Sequence, residues 1–393
     1  MTAAPQLIRE PPIDLDYFFS HLQDVREKNL LTHALHPYPA KFIPHIPRVL
    51  IEAFAPPGGI VLDPMCGSGT ALVEAAISGR SAVGIDLNPV ATLIARAKTT
   101  ALTDRQICEL GQLADLLHRT STLIAGGEGE VLARLAEAQP PHFPNRQLWF
   151  DDIVAQELAL ILGLITERTV LELRNVALCA FSSTLVSLSN QESETRWSAR
   201  PRVVRPGQAS ARVADRLRIF ADALTRYAAL RPAPVEVCQR DARATLLPSE
   251  SIDFVVTSPP YANSHDYYLY HKLRMFWLGY EVRSVQTNEI GSRNRHSDLK
   301  LDIDVYVDEM RGVLTEVRRI LKRSGHASIV VADAVIRGQL FNMGEIYAAL
   351  GDEAGLNAVH TTSFDHRRFN SLFARGFGTR HKKMTHVLTF RKP

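Results

Sequence analysis

The chain predicts an α/β fold built on a mostly parallel sheet and interrupted by a largely helical insertion. Short apolar runs alternate with helix-forming stretches, the pattern of strands joined by crossover helices. Three of those runs, at Ile60–Leu62, Ser81–Ile85 and Val235–Cys238, lead into polar or glycine-rich residues. In an open α/β sheet such strand ends line one crevice. Between the second and third runs, residues 100–234 show 3.6-type apolar spacing over Asp104–Ala125, Asp151–Thr166, Glu172–Leu188 and Gln208–Leu230.

The elements follow in order. Residues 1–32 read as a polar arm with a short helix, and 44–54 as a helix leading into the first strand. Asp63-Pro64-Met65-Cys66-Gly67-Ser68-Gly69-Thr70 then forms a glycine turn before the helical run from Ala71. Gly67 and Gly69 let backbone approach a ligand, and the helix from Thr70 aims its amides into the turn. The next strand ends at Asp86, followed by Leu87, about 20 residues past the glycines. That is where a βαβ nucleotide site places its ribose-binding acid. Asp241 and Ala242 close the third strand. The polar break 190–206 carries Trp197 among arginines, a composition suited to base stacking or to a loop pinned by its ring.

The fourth strand, Ile252–Val256, runs into Thr257-Ser258-Pro259-Pro260-Tyr261. Two prolines fix φ twice and remove two donors, so the strand stops with carbonyls facing a cleft. Ser258, those carbonyls and Tyr261 suit an exocyclic amino group and the ring that bears it. A strand-ending turn with a buried tyrosine is the alternative. Residues 266–279 read as a core helix and 280–303 as a mobile loop. A helix over 305–323, a strand over 327–332, a helix near 342–350 and a last strand over 385–390 complete the chain.

On these motifs the chain resembles the S-adenosylmethionine-dependent amino-methyltransferases of DNA, and specifically the cytosine-N4 type. The resemblance implies a Rossmann-like class I methyltransferase fold, with a seven-stranded sheet whose terminal strand is antiparallel. It assigns Asp63, Pro64, Cys66, Gly67, Ser68, Gly69 and Thr70 to the cofactor loop, Asp86 and Leu87 to the ribose, and Asp241 and Ala242 to the adenine. Thr257 adjoins the cofactor. Ser258, Pro259, Pro260 and Tyr261 become the catalytic loop. His36-Pro37-Tyr38-Pro39-Ala40-Lys41-Phe42 is similar to the motif that covers the methionine end, which adds Tyr38, Pro39 and Phe42. The implied organisation is an arm (1–32), a catalytic domain (33–99 with 235–393) and the insertion (100–234). The implied partner is double-stranded DNA, with a cognate restriction endonuclease where the enzyme serves a restriction–modification pair.

Composition agrees with a nucleic-acid partner through distribution rather than total charge, which is only +3. Residues 196–218 carry seven arginines against Asp215, and the C-terminal stretch from 365 is similarly basic. Arg196, Trp197, Arg200, Arg202, Arg205, Arg293 and Arg295 are the DNA-contact candidates. The four cysteines form no C-x-x-C pair and the histidines do not cluster, so neither a disulfide framework nor a metal site is expected. The apolar run 153–166 is too short to span a bilayer. With no signal-peptide pattern, a cytoplasmic protein is expected.

Three catalytic readings compete. Ser at position 258 favours cytosine N4, since adenine-N6 relatives more often carry Asp there. The cofactor loop is also similar to that of guanine-N2 RNA methyltransferases, which usually have Asn or Asp before Pro-Pro-Tyr. A non-catalytic, cofactor-binding subunit is the reading from another class, against which the intact Pro-Pro-Tyr loop speaks.

Overall fold

In the computed structural model, residues 13–22, 31–263, 265–293, 301–365 and 383–393 are described. Arg295 and the basic residues between 366 and 382 lie outside them. Seven strands form one sheet: β1 (Ile60–Asp63), β2 (Ser81–Asp86), β5 (Val235–Gln239), β6 (Ile252–Thr257), β7 (Leu321–Ala332), β10 (Asn357–Asp365) and β11 (Met384–Arg391). Their order is β10-β11-β7-β6-β1-β2-β5. The pairs β1–β2, β1–β6, β2–β5 and β6–β7 are parallel, and β11 runs antiparallel to both neighbours. This is the expected sheet, terminal antiparallel strand included. Two small antiparallel hairpins, β3 (Gln191–Ser193) with β4 (Arg196–Ala199) and β8 (Ala334–Ile336) with β9 (Gln339–Phe341), were not expected. Strands of three or four residues are too short to show a period.

Successive side chains along each central strand point to opposite faces. Val61, Phe254, Val256, Val330 and Val387 pack on one face against α1 (Leu15–His21), α2 (His45–Phe54) and α3 (Thr70–Ile77). Leu62, Val255, Ile329, Val331 and Leu388 pack on the other, against α14 (Ile303–Ile320) and α15 (Met343–Glu353). β7 begins at Leu321, where Leu321 pairs with Ile252, so the sheet claims residues that helical spacing assigned to the preceding helix.

The helix α4 (Pro89–Thr99) leads out of β2, capped by Asn88, whose Oδ1 accepts the Val90 N–H at 3.0 Å. The insertion follows as α5 (Asp104–Gly126), α6 (Gly129–Glu137), α7 (Arg146–Trp149), α8 (Asp152–Arg168), α9 (Leu171–Leu188), the β3–β4 hairpin and α10 (Gln208–Ala229). Thr103 and Gln106 form a reciprocal capping box at the start of α5. The helical core is continuous with Val90, Leu93 and Ile94 of α4 and with Tyr268, Leu273 and Trp277, so the insertion is built onto the sheet's flank. α9 has the length and mean hydropathy of a membrane span, yet most of it is buried against neighbouring helices, as a core helix is.

Residues 266–279 form two short helices, α11 (Tyr267–Tyr270) and α12 (Lys272–Trp277), which break at His271. The stretch expected as a loop contains α13 (Val282–Asn288), capped by Glu281, whose carboxylate accepts the Arg283 and Ser284 N–H groups.

Gly69 is the tightest point. Its φ is +74°, and a Cβ there would lie 2.9 Å from Ala95 Cα and Cβ. Gly69→Ala combines a left-handed penalty of about 1–2 kcal/mol with backbone overlap, so we expect a clearly lower denaturation midpoint. An unchanged midpoint in chemical denaturation would show that α3 and α4 are not locked together there.

Candidate functional site: one cleft at the strand ends

The turn after β1 is held from three sides. Cys66 N–H donates to Ile85 O at 2.9 Å, Gly69 N–H to Cys66 O at 2.8 Å, and Gly67 N–H to Asp86 Oδ2 at 2.8 Å. The other Asp86 oxygen accepts Asn88 N–H at 2.8 Å. Asp86 therefore organises the glycine turn while each of its oxygens keeps a second lone pair for a ligand. Burial pushes its carboxyl up to about 6, against the pull of those two amides. Asp63 is buried at the end of β1 and is likewise pushed up by burial, to about 7.

The segment 33–42 crosses the turn. A Cβ on Gly67 would lie 3.2 Å from Tyr38 Oη, so glycine is what lets Tyr38 sit on the loop. His33 Nε2 bonds Glu74 Oε1 at 2.7 Å and Arg48 Nε donates to Glu74 Oε2 at 2.6 Å, which ties the segment and α2 to α3. From the insertion, Ser182 Oγ bonds His36 Nε2 at 3.1 Å and Arg216 donates to the Leu35 carbonyl.

Just past the end of β5, the Asp241 carboxylate accepts Arg243 Nε at 2.9 Å and Nη2 at 2.6 Å. Burial pushes that carboxyl up, but the Arg243 bonds outweigh it and hold it below its ordinary value.

These parts enclose one cleft of roughly 920 Å³, its open mouth included. Of the expected residues, Tyr38, Phe42, Asp63, Pro64, Cys66, Gly67, Ser68, Thr70, Asp86, Leu87, Asp241, Ala242, Ser258 and Pro260 line it. Pro39, Gly69, Thr257, Pro259 and Tyr261 are not in the lining. Gly69 shapes the turn, and Thr257 is the buried last residue of β6. The fit to an adenosyl cofactor rests on this set of groups: a turn opened by Gly67 and Gly69, an acid at the end of β2 and a second just past the end of β5.

The Pro-Pro loop leaves β6 at the same edge. Pro260 O accepts the Tyr306 hydroxyl at 3.0 Å, and Tyr306 shares a hydrogen bond with Tyr347 at 2.8 Å. This pair pins the loop from beneath. Tyr261 packs against the core on the α14 side, its hydroxyl 3.4 Å from Ser258 Oγ.

Sequence reading missed Lys41, Met65, Asn88, Tyr267 and Glu289, all of which line the cleft. Glu289 accepts Tyr267 N–H at 2.7 Å and Tyr268 N–H at 3.2 Å, so it fixes the chain that presents the Tyr267 ring. That ring lies 5.8 Å from the Tyr38 ring, stacked at 27°. Burial pushes the Glu289 carboxyl up to about 8. Nothing local in the sequence marks Glu289, because its role comes from packing across 22 residues.

The candidate DNA-contact residues divide. Arg200 and Arg205 are exposed, and Arg196 pairs with Glu192 at 2.8 Å on the surface. Arg202 is engaged in the fold: Nη1 donates to Val186 O at 2.9 Å, at the C-terminal end of α9. Trp197 packs on Trp149 with ring centroids 4.3 Å apart, and Lys272 Nζ lies 5.1 Å over it. β4 rests against α11, and Arg274 of α12 pairs with Glu194 at 2.6 Å, so the hairpin flanks the chain that leaves the Pro-Pro loop. Arg293 is exposed.

Comparison with known proteins agrees with this geometry. A type II methyltransferase, M.MvaI of Kocuria varians, is 26% identical over 270 residues, covering 64% of this chain and 58% of that protein. A second, M.MjaII of Methanocaldococcus jannaschii, is 33% identical over 108 residues, covering 28% of this chain and 20% of its own length. The chain thus spans less than two thirds of either relative. A solved S-adenosylmethionine-dependent methyltransferase from Methanosarcina mazei is 11% identical, is matched over 91% of this chain and 98% of its own, and has a TM-score of 0.32. The decisive match is to the DNA methylase family of N6/N4 type, over residues 12–96 and 252–387. Those two blocks hold the glycine turn, Asp86 and the Ser258–Tyr261 loop and make up more than half of the sequence, so the chain belongs to the N6/N4 DNA methylase family.

Proposed function

We propose that the protein methylates the exocyclic N4 amino group of a cytosine flipped out of double-stranded DNA, with S-adenosyl-L-methionine as methyl donor. The observation that carries this reading is the convergence of Ser258 and Pro260 with Asp86 and Asp241 on one cleft. Ser at position 258 favours cytosine over adenine N6.

When bound, the cofactor supplies an activated methyl on a sulfonium. The chain's residues do the rest. A cytosine amino nitrogen is a poor nucleophile because its lone pair is delocalised into the ring. Ser258 Oγ and the Pro259 carbonyl accept the amino hydrogens, which turns the lone pair out of the ring and aims it. Pro260 O accepts the Tyr306 hydroxyl, which holds the loop from beneath. No strong base is needed, since the amino nitrogen, once methylated, is cationic and acidic and gives its proton to solvent water. Alignment supplies most of the rate. An amino group paired in a duplex is reached by flipping the base. Tyr261 is the proposed stacking ring, and Tyr267, which lines the cleft, is placed to share that role. Double-stranded DNA is the proposed partner, with a restriction endonuclease where one is paired with the enzyme, and the cytoplasm the proposed location. Identifying the methylated nucleoside after incubation with DNA and cofactor tests the reading.

A pH dependence follows. Asp63 and Asp86 are protonated below about 7 and about 6 in the empty cleft, because burial disfavours their charge. A cationic cofactor favours the ionised forms, so its affinity should rise as pH rises through this window and binding should release protons. Calorimetry in buffers of different ionisation enthalpy measures that release. Proton uptake, or affinity that falls from pH 5.5 to 8, contradicts it. The linked stability has the opposite sign. Both groups titrate higher in the folded chain than in the unfolded one, so they favour the empty fold at low pH, and that contribution is lost as pH passes 6–7.

A further inference from the structure

Behind the 33–42 segment lies a second concavity, which shares Lys41 with the cleft. Lys41, His36, Ser183, Ser187, Arg212 and Arg216 give it its chemistry. Each cation is held in place by a neutral group. Arg216 Nε donates to Ser183 Oγ at 3.0 Å, Arg212 Nη1 to Ser187 O at 2.7 Å, and Lys41 Nζ to His33 O at 3.1 Å. Among the described residues, none of the three has a carboxylate within ion-pair distance. The one acid in the wall, Asp215, is turned to Arg218 at 3.4 Å. Three oriented cations facing one diverted acid make a place for an anion, with further N–H groups to offer, while the hydroxyls of Ser183 and Ser187 donate to the Ala180 and Thr184 carbonyls of their own helix.

Position says which anion. The pocket sits at the C-terminal end of α9, and the next residues in the chain are the β3–β4 hairpin with exposed Arg196 and Arg200. β4 in turn rests on α11, which adjoins the cleft. The hairpin, whose Glu192 and Glu194 pair with Arg196 and Arg274 and which is followed by exposed Arg200, therefore joins the pocket to the chain that leaves the Pro-Pro loop. We propose that the Lys41–Arg212–Arg216 pocket seats one backbone phosphate of the DNA strand that enters the cleft. This rests on the DNA-methylating reading above. A phosphate contact fixes the register of a duplex without reading its sequence. The pocket accordingly positions the substrate and does not select the site.

The test is the affinity of the full chain for one duplex oligonucleotide across a salt series, for wild type and for Arg212→Gln, Arg212→Lys and Arg212→Glu. Arg212 is half-buried at the pocket wall and outside the cofactor cleft, so cofactor affinity serves as the control for folding. Each phosphate contact contributes about 0.9 to the slope of log affinity against log salt. Arg212→Gln should flatten the slope by about one, Arg212→Lys should restore most of it, and Arg212→Glu should weaken binding further. If Arg212→Gln keeps the wild-type slope while cofactor binding is intact, the pocket holds no DNA phosphate, although the methylation reading stands. If the wild-type chain binds no duplex at all and transfers no methyl group to DNA, both readings fall together.

Discussion

Ser258→Ala is expected to lower turnover by about 10²–10³-fold while leaving the fold and cofactor affinity near wild type. The factor is the usual cost of removing one preorganised polar group from charge that develops in the transition state. Ser258 lines the cleft at the start of the Pro-Pro loop, and among the described residues its hydroxyl makes only a long contact, 3.4 Å, to Tyr261. Little structure depends on it, so the loss should appear in kcat. Single-turnover methyl transfer with saturating DNA and cofactor measures this. Wild-type rates in the Ala variant would mean that the amino hydrogens are held elsewhere.

Asp86→Ala is expected to act on binding. A charge-assisted hydrogen bond contributes about 1.5–3 kcal/mol, so cofactor affinity should fall by roughly 10- to 150-fold. The figure includes a structural part, because the same carboxylate holds the N–H groups of Gly67 and Asn88. Asp86→Asn separates the two. Its amide nitrogen would face one of those N–H groups, donor against donor, so the conservative variant should recover little affinity. Calorimetric titration with intact folding decides the point, and unchanged affinity in both variants would remove Asp86 from the site.

The parts of the fold legible in the sequence were those written in a local period. The central strands of the sheet and the long insertion helices carry it. The glycine turn was legible for a different reason, since Gly67 and Gly69 both take positive φ that other residues resist. The break at His271 was not legible, because no proline or glycine marks it. Residues 282–288 read as loop because their polar surface masked a helix that docks through Val285.

The site shows the same division. Residues at strand ends were found because topology places strand ends together. Tyr267 and Glu289 were missed because they reach the cleft only through the packing of α11 and α13. Arg202 illustrates the converse: its charge suggested DNA contact, whereas its guanidinium is engaged at the carbonyl end of α9. Side-chain chemistry can be read from a sequence, but what a long side chain already holds cannot.

The central claim is that the amino group methylated is cytosine N4. Duplex DNA of mixed sequence, incubated with the protein and S-adenosyl-L-methionine, digested to nucleosides and analysed by mass spectrometry, tests it most directly. The account predicts N4-methyldeoxycytidine, with the product lost in Ser258→Ala. N6-methyldeoxyadenosine in its place would contradict the assignment and transfer the same cleft to adenine.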